Sequence, residues 1–133
     1  MALGLYAEIF RCSDAQARDQ LRDFSGLQGA LARPASYAHY EQADLPLQAA
    51  ALAHGLAEGQ LFIEGNKRVA LAALHTFLLV NGLQIDASQE ERARWVLDLA
   101  AVGRTAEEKD RELATRLRKS TVPHPDDLGE GEA

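Results

Sequence analysis

The sequence predicts an all-α domain, and three observations carry that prediction. Ala and Leu, both strong helix formers, number 24 and 20 of the 133 residues. The β-branched residues that sheets favour are scarce: 5 Val, 3 Ile and 4 Thr. Third, the spacing of a capping box, in which a side chain and a backbone satisfy each other's free groups, recurs at Ser13/Gln16, Ser88/Glu91 and Thr105/Glu108. The length suits one domain of the usual ~100–150 residues.

Taken in order, Leu3 to about Phe10 is an apolar-rich short helix. Ser13 opens a helix from Asp14 to about Asp23, and Ser25-Gly26 breaks it. Leu27 to Arg33 forms a short helix closed by Pro34, because a proline disfavours helical geometry in the residue before it. Ala35 to Asp44 reads as a loop. Pro46 suits a helix start, where its missing N–H costs nothing. The run from Leu47 to Glu58 is apolar nearly all round, as in a buried central helix, and ends at Gly59. After a loop from Gln60 to Gly65, a second apolar helix runs from Asn66 to Asn81-Gly82. The expected architecture is therefore a compact helical bundle whose two apolar central helices are joined by a loop. Leu83 to Ile85 is extended, Ser88 opens a helix to about Val102, and Thr105 opens one to about Lys119. The domain is placed at 1–119. Residues 120–133, with two prolines, glycines and acidic side chains, are expected to form a disordered tail.

Composition excludes several classes. A net charge of −6 gives no global basic field for wrapping nucleic acid. One cysteine, Cys12, supplies neither an intrachain disulfide nor a Cys-rich zinc site. There is no apolar run of about 18 residues to span a membrane and no visible secretory signal, so a cytoplasmic setting is expected. Of 14 basic residues 11 are Arg, and only Lys67 among the three lysines lies mid-chain.

Lys67 falls in the segment Gly59-Gln60-Leu61-Phe62-Ile63-Glu64-Gly65-Asn66-Lys67-Arg68, which joins the two central helices. A helix start presents free N–H groups and the positive end of the dipole, so it favours anions, phosphate above all. Gly65 permits close backbone approach. Lys67 is a flexible point charge and Arg68 a planar fork for phosphate oxygens. Two cations in a first turn oppose the dipole, which suggests that something negative binds there. Glu64 can hold Mg²⁺, which takes one or two carboxylates plus phosphate oxygens. Phe62 pins the loop to the core. Against this stands a plain solvated helix start that happens to carry Lys and Arg.

Phe62 through Arg68, followed by the apolar helix and Asn81-Gly82, resembles the signature of the Fic/Doc superfamily, with Asn-Lys-Arg as in its Doc (death-on-curing) branch rather than the Gly-Asn-Gly-Arg of Fic enzymes. Gly26 to Pro34 and Leu99 to Arg118 are similar to flanking segments of Doc-like proteins, so the resemblance covers roughly residues 3 to 119. It implies a small all-α domain binding ATP and Mg²⁺ at this loop. It implies a toxin held by a cognate antitoxin, transferring the γ-phosphate of ATP to a threonine of elongation factor Tu and so inhibiting translation. By position, Asn66, Lys67 and Arg68 contact phosphates, Glu64 helps place the metal and Phe62 is structural.

One departure matters. The family motif begins with His two residues before the Phe, as general base, and here that position is Gln60. An amide has no useful pKa, and loss of a general base typically slows a reaction ~10²–10⁴-fold. Three explanations stand side by side: a substitution selected or introduced because an active toxin poisons its host; a pseudoenzyme that binds nucleotide or a partner; or a base supplied elsewhere, His54 being the obvious stand-in. Fic-like AMP transfer is the alternative activity, disfavoured by Lys67. His75 reads as a core or interface histidine and Trp95 as core, with a contact to the antitoxin as the alternative for Trp95. No self-inhibitory Ser/Thr-x-x-x-Glu helix is found, so control by a separate antitoxin is expected.

Overall fold

In the computed structural model, residues 2–124 are described; residue 1 and residues 125–133 lie outside the described residues. The element order is α1 (Ala2–Phe10), α2 (Asp14–Asp19), α3 (Phe24–Glu41), α4 (Leu45–Glu58), α5 (Asn66–Val80), β1 (Leu83–Ile85), α6 (Gln89–Asp98), α7 (Ala106–Ser120) and β2 (Thr121–Pro123). The predicted all-α class holds, with one short two-stranded ribbon added.

The centre is α4. Ten of its residues are buried, including the run Ala49 to Ala53. Alanine is small enough to let neighbouring backbones close in, and α4 packs against α3, α5 and α7 at once. Asp44 caps it by accepting from the N–H of Leu47 and is itself held by Arg118 of α7, at 2.8 Å. Val69, Ala70, Ala73, Leu74 and Leu78 form the buried stripe of α5, the second central helix. Trp95 and Val96 are the buried residues of α6, so Trp95 is core as expected.

The structure differs from the sequence reading in three ways. The first is α3, which runs unbroken through Ser25-Gly26 and Pro34 to Glu41. Asp23 caps it by accepting from the N–H of Gly26 at 2.8 Å, and a Cβ at residue 26 would run into that carboxylate and into Leu61. Gly26 is thus a close-approach residue in the first turn rather than a break. A proline inside a helix costs about 3 kcal/mol. Here Pro34 is buried, and the residues flanking it are tied down: Arg33 and Tyr37, four apart on one face, both bond Asp110 of α7. Tertiary bonds on both sides of the proline carry the helix through, and residues 35–41 are helical rather than loop.

The second difference is α2, which ends at Asp19 because Leu21 pairs with Phe62 in an antiparallel bridge and the N–H of Arg22 donates to Leu61 O at 2.7 Å. Likewise α6 ends at Asp98. Residues beyond it turn, Gly103 takes φ +93°, and Arg104 folds back to the Asp98 carbonyl and to Glu112.

The third is the start of the expected tail. Ser120 closes α7, and Thr121–Pro123 pairs with β1 in the register Leu83↔Pro123, Gln84↔Val122, Ile85↔Thr121. The remainder of the expected tail, 125–133, lies outside the described residues.

Candidate functional site

The loop between α4 and α5 is held from three directions. From below, Phe62 is buried and stacks on Tyr6 of α1, with ring centroids 4.6 Å apart. From one side, residues 20–22 bond its backbone: besides the Arg22 contact, the N–H of Ile63 donates to Gln20 O at 2.8 Å. From the other, the Asn66 side chain closes a ring with one residue of the loop. Its Oδ1 accepts from the N–H of Phe62 at 2.9 Å, and its Nδ2 donates to the Phe62 carbonyl at 3.0 Å.

That clamp gives Asn66 a role the sequence reading did not assign. Both ends of its amide are engaged by Phe62, so what Asn66 offers outward is its backbone N–H, at the first position of α5. Gly65 precedes it at φ +84°, a left-handed conformation that favours glycine. A Cβ there would also collide with the ring of Phe10, which closes over the turn.

The start of α5 is open. Helices α2, α3, α4, α6 and α7 are each capped by a Ser, Asp or Thr side chain, whereas Gly65 gives α5 none. The N–H of Val69 donates to Gly65 O, which leaves the N–H groups of Asn66, Lys67 and Arg68 without intrahelical partners. Lys67 and Arg68 are both exposed, and neither forms an ion pair with a described residue. Arg68 lies over the Phe10 ring at 4.4 Å, which orients its guanidinium without neutralising it. Two uncompensated cations, free N–H groups and the positive end of the helix dipole thus share one place, an arrangement that favours a polyanion.

Ala57, Gln60, Gly65, Asn66, Lys67 and Arg68 line one open cleft of about 340 Å³. Five of the predicted site residues are therefore brought together. An apolar hollow of about 220 Å³ shares Lys67 and Arg68 with it and continues along Leu71 of α5 and Val96 and Leu97 of α6. Glu64 is placed apart. It lines a neighbouring cleft of about 400 Å³ with Tyr6, Phe10, Cys12, Gln16, Asp19 and Gln20. Burial pushes the Tyr6 hydroxyl pKa up, and the negative charges of Glu64 and Cys12 add to the shift. No group of three His, Cys, Asp or Glu able to hold a metal ion occurs among the described residues. One carboxylate suits Mg²⁺ only as an ion that keeps its waters and takes phosphate oxygens as further ligands.

Gln60 follows the end of α4 and adopts φ +55°, unusual for a residue with a side chain. It is exposed and its amide bonds no described residue. His54, the possible stand-in base, is buried one and a half turns back along α4, with Nδ1 2.7 Å from Asp110 Oδ1. It does not line the cleft of Gln60.

Sequence reasoning missed Tyr6 and Phe10, which support the loop and cover Gly65. Their i, i+4 spacing on α1, placing two aromatics on one face, was the available signal. Asp110 was missed too. Its spacing with Leu113, Ala114 and Leu117 puts it on the inward face of α7, and all four are buried.

The Fic/DOC family model matches residues 2–78, a span from α1 almost to the end of α5. The chain belongs to the Fic/DOC family. It is also 41% identical over 70 residues to Toxin Doc of Mycolicibacterium smegmatis, a match covering 51% of this chain and 54% of that protein. The match thus spans about half the length of the curated relative, and it supports the Doc branch of the family.

Proposed function

We propose that this chain is a Doc-like toxin domain that binds ATP at the start of α5 and transfers its γ-phosphate to a protein hydroxyl. A single observation carries the proposal: Lys67 and Arg68 stand unpaired at the one uncapped start among the capped helices α2 to α7, in the loop of a Fic/DOC chain. The backbone N–H groups receive phosphate oxygens, Lys67 adds a point charge and Arg68 a two-pronged contact. Mg²⁺, held by Glu64 and phosphate oxygens, would neutralise charge on the polyphosphate. Lys67, in place of the second glycine of the Fic loop, favours γ-phosphate transfer over AMP transfer. The similarity to Toxin Doc supports a toxin with an antitoxin partner. Translation as the process inhibited, a threonine of elongation factor Tu as the acceptor and a cytoplasmic setting rest on the family resemblance of the loop.

Gln60, at the position of the motif His, favours a second reading: a nucleotide- or partner-binding pseudoenzyme. His54 does not fill the gap, because it is buried and does not line the cleft of Gln60. Induced expression in bacteria separates the readings. Gln60→His is expected to restore growth arrest, and Lys67→Ala added to it to abolish the arrest. Full viability of the Gln60→His strain with soluble protein present would favour the pseudoenzyme. Label from α- rather than γ-labelled ATP on proteins of a lysate would favour AMP transfer.

A further inference from the structure

Resting on the phosphotransferase reading, we infer that Gln60 is the residue that orients the acceptor hydroxyl, and that transfer proceeds with no side-chain base. Three observations converge on it. The cleft that holds Lys67 and Arg68 is lined by Ala57, Gln60, Gly65, Asn66, Lys67 and Arg68, a set with no carboxylate and no imidazole. The nearby carboxylate, Glu64, lines the adjoining cleft, and His54 is buried against Asp110. In that set Gln60 alone offers a polar side chain that is uncharged and unengaged, since both ends of the Asn66 amide are bonded to Phe62.

An amide presents an acceptor oxygen and two donor hydrogens side by side. The Gln60 oxygen accepts from the attacking hydroxyl, and its NH₂ donates to an oxygen of the γ-phosphoryl group. Phosphoryl transfer passes through a loose transition state, so positioning and charge stabilisation do most of the work and early proton removal does little. The acceptor oxygen forms a bond to the γ-phosphorus as the bond to the bridging β–γ oxygen breaks. The electron pair of that bond leaves with ADP. The acceptor's proton passes to an oxygen of the transferred phosphoryl group and from there to solvent. Lys67, Arg68 and the open N–H groups stabilise the charge throughout.

The backbone bears on the test. At φ +55° a glycine is unstrained, so Gln60→Gly removes the amide without demanding a new fold. The native chain, Gln60→Gly and Gln60→His are compared with γ-labelled ATP, Mg²⁺ and a soluble bacterial lysate between pH 6 and 9, with Mg-ATP affinity measured on each. The native chain is expected to label protein at a rate flat across this range. Gln60→Gly should be about tenfold slower, a loss larger than any change in Mg-ATP affinity, the effect of losing one well-aligned hydrogen bond to the acceptor. Gln60→His should label faster, with a rate falling on the acid side as its imidazole, ordinarily near pKa ~6.5, becomes protonated. If Gln60→His labels while the native chain is no faster than Gln60→Gly, the orienting role is overturned and the phosphotransferase reading stands. A native rate that follows a titration also overturns the orienting role. Absence of labelling by Gln60→His strikes the phosphotransferase reading itself and this inference with it.

Discussion

His54 Nδ1 lies 2.7 Å from Asp110 Oδ1, joining the central helix α4 to α7 through a carboxylate that has no exposed surface. The other oxygen of Asp110 accepts from Arg33 Nη2 at 2.7 Å and from the Tyr37 hydroxyl at 2.8 Å, both on α3. Arg33 also donates to the Ala51 carbonyl of α4. Asp110 thus faces His54 with one oxygen and Arg33 and Tyr37 with the other. This quartet locks α3, α4 and α7 together behind the loop.

Removing one member of such a buried ionic network leaves the others unpaired and typically destabilises by about 3–5 kcal/mol. Asp110→Ala is expected to fall at the low end, about 3 kcal/mol, because Arg33 is partly exposed and regains water. Urea denaturation of the variant against the native chain measures it. A change below about 1 kcal/mol would show that the helices pack without the lock.

Tyr37 titrates in a way that reports on the same network. Burial first, and its hydrogen bond to the Asp110 carboxylate second, push its hydroxyl up to about 12. The unfolded chain has the ordinary value near ~10, so the folded state resists ionisation. The stabilisation is therefore fully present below pH ~10 and lost as pH rises through the folded value. Native chain and Tyr37→Phe should converge in stability between pH 10 and 12. A gap that stays constant to pH 12 would contradict the assignment.

Asn66 is expected to behave as a loop clamp. Asn66→Ala leaves the N–H and carbonyl of Phe62 without their partners, and unsatisfied buried groups cost about 1–3 kcal/mol. A thermal melt should show that loss without any ligand present. A variant as stable as the native chain would instead mark Asn66 as a residue that matters only for binding.

Gly65→Ala tests the turn beneath the open helix start. The left-handed φ and the Phe10 ring act separately, so Phe10→Ala should recover only part of the loss. Residues in contact show coupling of about 0.5–3 kcal/mol, and a double-mutant cycle reads it from denaturation curves. Strict additivity would mean that Phe10 does not close over the turn.

Much of this was legible in the chain. Capping residues Ser13, Ser88 and Thr105 marked three helix starts, and Ala-rich α4 announced itself as central, because local chemistry sets both. The loop from Gln60 to Arg68 was legible for the same reason: helix starts, glycine turns and charges are local features. Long-range bonds were not. Pro34 reads locally as a helix stop, and only Asp110, 77 residues beyond Arg33, overrides it. Thr121–Pro123 reads as tail until β1 supplies a partner. The clamp of the Asn66 side chain on Phe62 was not legible either, because it exists only in the folded loop.

Calorimetric titration of the native chain with ATP and Mg²⁺, beside Lys67→Ala/Arg68→Ala, tests most directly whether the start of α5 is a polyphosphate site. Binding is expected to the native chain and to be at least about tenfold weaker in the double variant, since hydrogen bonds to charged groups contribute about 1.5–3 kcal/mol each. No detectable binding to the folded native chain, or equal binding to both proteins, would contradict it.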